Sequence, residues 1–152
     1  MSVRQAKKSD LEQILEIERL TLSDPWGYSN FQAALGDILL VFEEQGITGF
    51  LVAVCCHRDV RGSIVKLAVH PEDRRQGIAT QLLEAALRML RERGMLEVCL
   101  IVEITRKPAI ALYEKLGFKI TKTINIGYED DLSDDSFHEM KLNLSTDWTG
   151  FP

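Results

Sequence analysis

Apolar and polar positions along this chain follow two periods, and the places where one period gives way to the other mark out its elements. Residues 3–6 form a short extended run. Ser9-Asp10-Leu11-Glu12 then has the form of a capping box, and Leu11, Ile14, Leu15, Ile17 and Glu18 continue at helical spacing to about residue 22. Asp24-Pro25-Trp26-Gly27 interrupts the pattern, and Ser29 is placed to cap a short helix over 30–35. Residues 38–43 and 48–57 are rich in β-formers on either side of Glu44-Gln45-Gly46, which predicts a hairpin. A third apolar run, 64–69, ends before Pro71. The most regular segment is 77–93. There Ile78, Leu82, Leu83, Ala86, Leu87 and Leu90 share one helix face, Gln81, Glu84, Arg88, Arg91 and Glu92 cover the other, and Gly94 stands where a C′ glycine belongs. Residues 97–102 read as a buried strand and 108–115 as a short helix, with Pro108 in its first turn and Gly117 as its stop. Residues 119–126 and 137–144 read as a closing antiparallel pair. The order βααβββαβαββ is mixed α/β: a mostly antiparallel sheet with one parallel strand–helix–strand crossover, right-handed by the general rule.

Composition narrows the class. At 152 residues, 45% hydrophobic and 27% charged, the chain has the size and balance of one soluble globular domain. The expected domain spans 1–144, with 145–152 a C-terminal tail whose Trp148 and Phe151 can dock on the core or on a partner subunit. The formal charge of −5 carries no basic footprint for nucleic acid. No apolar run approaches the roughly 20 residues of a membrane span, and the N-terminus lacks a signal peptide's apolar stretch. Cys55, Cys56 and Cys99 form neither a disulfide framework nor a CxxC pair, and they fall in apolar runs as small buried residues. His57 and His138 have no visible partner, and His70 reads as local structure before a proline, so no metal site is expected. A cytoplasmic setting is expected, as a monomer or homodimer, with neither nucleic acid nor membrane as partner.

The chemistry lies at the two ends of the crossover. Val69-His70-Pro71-Glu72-Asp73-Arg74-Arg75-Gln76-Gly77-Ile78-Ala79-Thr80 runs from a strand end through a polar turn into a helix. Backbone N–H groups from Arg75 to Thr80 would point out of the helix N-terminus, at the positive end of its dipole, where a phosphate or pyrophosphate fits. Gly77 and Ala79 would keep side chains out of the anion's way. No Lys-Ser/Thr follows the glycine and the spacing is not GxGxxG, which argues against nucleoside triphosphate and NAD. An ordinary strand-to-helix turn can carry Arg and Gly too, and the turn alone leaves these two readings even.

RRQGIA resembles the R/Q-x-x-G-x-G/A motif of the GNAT N-acetyltransferases. VHPEDRRQGIATQLLEAAL, followed by AIALYEKLGF, resembles both halves of that family's acyl-CoA-binding core, and the element order matches over essentially the whole chain. AIALYEKLGF together with Asp24-Pro25-Trp26 is most similar to the RimI-like branch, which acetylates the N-terminal α-amine of proteins. The resemblance implies acetyl-CoA as cosubstrate and no metal. Leu67, Ala68 and Val69 would hold the acetyl-pantetheine arm through backbone groups, on a strand splayed from its neighbour. Arg74, Arg75, Gln76, Gly77, Ile78, Ala79 and Thr80 would cradle the pyrophosphate. Tyr113 would protonate the departing thiolate, a transfer uphill by about 2 kcal/mol between a free phenol and a free thiol. Trp26 and Tyr128 would border the acceptor. A backbone N–H at Ala68 or Val69 is placed to stabilise the oxyanion as a neutral amine attacks the thioester directly.

Two positions depart from the family pattern. Ile101 stands where RimI-like enzymes carry a glutamate proposed as general base, and Arg106 stands where an asparagine usually faces the cofactor. Glu103 shares a strand face with Ile101 and is the nearest carboxylate to take over. It can equally be a solvated charge at a strand end. Arg106 and Lys107 can contact the cofactor's phosphates or face solvent. A missing base matters less for an α-amine, about one in seven of which is neutral at pH 7, a cost of roughly 1 kcal/mol against roughly 4.6 for a lysine. Glu129, Asp130, Asp131, Asp134, Asp135 and Glu139 hold the whole negative excess of the chain. By the resemblance they border the acceptor pocket, where they would attract a cationic acceptor such as a basic protein N-terminus or a polyamine; a solvated loop is the plainer alternative. The function expected is acetylation of a protein or peptide α-amine. Acetylation of a small amine (a polyamine, amino acid or aminoglycoside) and a silent acyl-CoA-binding regulatory module are the alternatives.

Overall fold

The computed structural model describes residues 2–21, 25–125 and 136–145. Its elements run β1 (Ser2–Gln5), a 3-10 turn (Lys8–Asp10), α1 (Leu11–Thr21), α2 (Tyr28–Ala34), β2 (Ile38–Glu43), β3 (Ile47–Cys56) and β4 (Arg61–Val69). A second 3-10 turn (Pro71–Asp73) leads to α3 (Ile78–Glu92), β5 (Glu97–Glu103), α4 (Lys107–Lys115), β6 (Lys119–Asn125) and β7 (Ser136–Asn143). This is the order that the periodicity predicts. The sheet has the strand order β1-β2-β3-β4-β5-β7-β6, and β4–β5 is its parallel pair. No described helix is long and apolar enough to cross a membrane.

Both faces of the central strands are covered, which is why they read as nearly continuous apolar runs rather than alternating ones. On one face Leu39, Val41, Phe50, Val52 and Ala68 pack under Leu11, Ile14 and Ile17 of α1 and Phe31 of α2. On the other, Leu40, Phe42, Leu51 and Ile64 pack under the apolar stripe of α3, with Tyr113 and Leu116 beyond it. Gly49 of β3 lets α3 come this close. A Cβ there would stand 2.9 Å from the Ile78 side chain, 3.2 Å from Leu82 and 3.3 Å from the backbone oxygen of Ala68.

The helix starts are built differently from the sequence expectation. Asp10, rather than Ser9 with Glu12, closes the entrance to α1. Its carboxylate accepts the Lys7 N–H at 2.7 Å and pairs with Arg4 of β1 at 2.8 and 3.0 Å. The nearby guanidinium first of all, and the Lys7 bond after it, hold that carboxyl below its ordinary pKa against the opposing effect of burial. Ser9 loses the role because Arg4 offers a countercharge that a carboxylate can use and a hydroxyl cannot. Helix α2 begins earlier than predicted: Gly27 is its N-cap, Asn30 accepts the Gly27 N–H at 3.0 Å, and Ser29 lies inside the helix. The cysteines also need correcting, since Cys56 is exposed and Cys55 and Cys99 are only half-buried. His138 has a partner after all, Thr123 at 2.8 Å.

Two irregularities in β4 shape the site. Val52 pairs with Lys66 and Ala53 with Ile64, so Val65 is an extra residue, a bulge that bends the strand. The parallel ladder with β5 joins Arg61 to Glu97, Gly62 to Val98 and Ser63 to Cys99, and beyond that rung the described strands part.

Gly49→Ala should destabilise the fold by about 1–3 kcal/mol, because the Ala68 carbonyl cannot yield as a side-chain tip can. Thermal unfolding should show a loss of about 2–12 °C; an unchanged Tm would mean that α3 and β3 separate without cost.

Candidate active site

A cavity of about 360 Å³ lies between the end of β4, the mouth of α3 and α4, and a smaller one of about 160 Å³ fills the gap where β4 and β5 part. Both are lined by Leu67, Arg106 and Tyr113, so these three residues border both spaces.

The larger cavity gathers most of the predicted binding residues. Leu67, Ala68 and Val69 form the strand wall, while Arg74, Arg75, Gly77, Ile78, Ala79 and Thr80 form the turn and the mouth of α3. Gln76 lines neither cavity. The turn is wound by two left-handed residues, Arg75 at φ 66° and Gly77 at φ 77°. Gly77 is the N-cap, and a Cβ on it would meet nothing within 4 Å, so open space lies in front of the helix. The first closed bond of α3 runs from the Gln81 N–H to the Gly77 oxygen at 3.1 Å. The N–H groups of Ile78, Ala79 and Thr80 thus have no acceptor within the helix and carry its positive end. With the two arginines beside them, they suit an anion larger than a single carboxylate. Arg74 Nε donates to the Val69 oxygen at 3.4 Å, and the His70 ring accepts the Glu72 N–H at 3.1 Å, so His70 serves the turn itself. Thr21, at the end of α1, also lines this cavity, and nothing in its sequence surroundings signals that.

Tyr113 stands at the junction. It is buried among the core residues of α3 and α4, with its ring edge-on to Phe118 at 6.0 Å. Burial raises its phenol pKa above the ordinary value, and the Arg106 charge opposes that rise. Among the described residues the Arg106 side chain has no hydrogen bond or ion pair, and it lines both cavities.

The smaller cavity is lined by Lys66, Ile101, Glu103 and Phe137. Ile101 is 62% exposed, an apolar side chain on an open wall. Glu103 lies on the same face, as strand alternation predicts, and its carboxylate has no hydrogen bond or ion pair with another described residue. Glu139 is the cross-strand neighbour of Ile101 but does not line the cavity. Thr121 donates to it at 2.8 Å, Lys122 and Lys141 lie at 3.6 Å, and its pKa is held below the ordinary value, first by the Thr121 bond.

Trp26 lines neither cavity. Its ring packs on Phe31, with the Lys66 ammonium 4.7 Å from the ring centroid. Lys66, which the sequence reading passed over, pairs with the fully buried Glu18 of α1. The signal for both was available, since each is a charge inside an otherwise apolar pattern. Tyr128, the acidic residues 129–135 and the tail residues Trp148 and Phe151 lie outside the described residues. Among the described residues no cluster of His, Cys, Asp and Glu could hold a metal ion.

Comparison with known proteins gives this geometry a family. Residues 35–120 match the acetyltransferase (GNAT) domain. The chain is 34% identical over 144 residues to an N-alpha-acetyltransferase of Saccharolobus solfataricus, covering 85% of this chain and 86% of that one. The ribosomal-protein-S18-alanine N-acetyltransferase of Escherichia coli shares the fold, with a TM-score of 0.83 at 23% identity over 99% of this chain and 98% of that one. A structure of the NatC complex bound to Gag peptide and CoA has a chain that aligns with a TM-score of 0.79 at 25% identity, covering 95% of this chain and 100% of that one. By the matched domain and by the Saccharolobus relative, the chain belongs to the GNAT family.

Proposed function

We propose that this acetyltransferase moves the acetyl group of acetyl-CoA to the N-terminal α-amine of a protein or peptide. The observation that carries the reading is that Tyr113 borders two cavities, one holding the unpaired N–H groups at the mouth of α3 and the other the open face of Ile101 and Glu103. The activity of the Saccharolobus relative supports the choice of an α-amine.

Bound in the larger cavity, acetyl-CoA supplies an activated acetyl thioester. Arg74, Arg75 and the N–H groups at the mouth of α3 hold its diphosphate, with Gln76 outside the cavity wall. Leu67, Ala68 and Val69 hold the arm by backbone groups on the edge of β4 that β5 has left. An N–H of Ala68 or Val69 donates to the oxygen that becomes negative as the amine attacks. Tyr113 gives its proton to the departing sulfur, and Arg106 stabilises the negative charge that this leaves on the phenol. Glu103 takes the proton from the amine, directly or through water, in place of the carboxylate that Ile101 lacks. Trp26 contributes through Lys66, and Tyr128 borders the acceptor. Glu129, Asp130, Asp131, Asp134 and Asp135 draw cationic acceptors towards it. The catalytic domain is 1–144, and the chain acts in the cytoplasm as a monomer or homodimer. A silent acyl-CoA-binding module is the second reading, favoured by the apolar Ile101 at the usual base position.

Thiol release from acetyl-CoA in the presence of free-amine peptides, N-terminally blocked peptides and small amines tests the reading. Turnover is expected with the free-amine peptides alone. Turnover only with small amines would overturn the α-amine assignment, and binding without any turnover would establish the silent module. Tyr113→Phe should lower kcat by about 10²–10³ with little change in the KM for acetyl-CoA. Because burial raises this phenol, the acid stays protonated across neutral pH. Accordingly kcat should not decline on the alkaline side until the pH exceeds the ordinary phenol value; an earlier decline that Tyr113→Phe abolishes would contradict the assignment. Gly77→Ala places a methyl in front of the helix mouth at a left-handed residue. Calorimetry should show about tenfold weaker acetyl-CoA binding, a loss of roughly 1.4 kcal/mol.

A further inference from the structure

Glu18 is the most deeply buried charge among the described residues, at 0% exposure, on the helix whose Leu11, Ile14 and Ile17 belong to the core. One carboxylate oxygen accepts the Trp26 N–H at 3.0 Å and the Lys66 ammonium, and the other has no hydrogen-bond partner. Lys66 is itself only 11% exposed, and its ammonium faces the Trp26 ring as well as the carboxylate. A carboxylate in this setting costs more to bury than an apolar residue of its size, and a surface pair of the same charges would avoid that cost. The contacts suggest what the pair does. Glu18 belongs to α1, Trp26 to the segment entering α2, and Lys66 to β4, beside the bulge at Val65 and two residues before Ala68. Trp26, which lines neither cavity, reaches the smaller one through Lys66 alone among these contacts.

We propose that the buried Glu18–Lys66 pair is an acceptor-positioning device, locking β4 at Lys66, which lines the smaller cavity, onto α1 and the Trp26 segment so that the acceptor's cavity and the strand holding the acyl arm keep one spacing. The proposal rests on the reaction of the preceding subsection, and Glu18 and Lys66 act through Trp26 and β4, without contact to the reacting atoms. Removing one partner alone leaves a buried charge uncompensated and endangers the fold. The informative variant is therefore the double one, E18Q/K66M. Its side-chain amide oxygen at position 18 can still accept the Trp26 N–H, and neither charge remains.

The double variant should unfold at or near the parent's temperature, with its KM for acetyl-CoA unchanged and its KM for the acceptor raised about tenfold. Hydrogen exchange should quicken in residues 25–34 but not at the mouth of α3. K66R keeps the cation over Trp26, and its fork can engage both carboxylate oxygens, so it should leave the acceptor KM near the parent's. The acceptor is the free-amine peptide turned over fastest by the parent, or the small amine if only that is turned over, in which case the α-amine reading fails and this test proceeds. If the parent turns over neither, the exchange rates decide. A folded E18Q/K66M with parental acceptor KM, or parental exchange in 25–34, would overturn the proposal. So would an equal rise in both KM values.

Discussion

Everything in this site depends on the parting of β4 from β5. Three parallel rungs hold the strands together as far as Ser63 and Cys99, and after that the pairing stops. A sheet interior normally has no free backbone edge, because unpaired amide groups buried in protein are costly. Here the edge is left open inside the molecule, which is tolerable where a ligand with amide and carbonyl groups of its own completes the pairing. The bulge at Val65 is the local irregularity of β4 just beyond the last rung, and its other edge stays paired to β3, over which Gly49 lets α3 pack closely. Sheet, helix and cavity thus form one arrangement.

The electrostatics divide along the same line. On the α3 side the field is positive, from orphaned N–H groups and arginines that need no titration to act. At the junction Tyr113 is kept neutral by burial, and Arg106 moderates the cost of ionising it. In the smaller cavity the carboxylate that lines it, Glu103, is unengaged among the described residues, whereas Glu139, equally near in the sheet, is committed to Thr121 and two lysines. Two carboxylates on adjacent strands therefore have different chemistry because of their partners. The buried Glu18–Lys66 pair adds a further constraint, tying α1 and the Trp26 segment to β4.

Sequence alone settled the element order, the amphipathic face of α3, the turn from Val69 to Thr80 and the face shared by Ile101 and Glu103. All of these follow from local rules: periodicity, glycine conformation and strand alternation. Recognition of the GNAT family was equally local, since RRQGIA and AIALYEKLGF each lie within one short stretch of turn and helix. What only the tertiary structure decided depends on which distant residues meet. Asp10 displaced Ser9 as the cap because Arg4, only six residues earlier on β1, pairs with it, a meeting that periodicity does not record even at short range, and His138 found Thr123 on the adjacent strand. Glu18 and Lys66, 48 residues apart, form a pair that no periodicity can announce, because helix and strand patterns record which face is apolar but not which charge will face another across it.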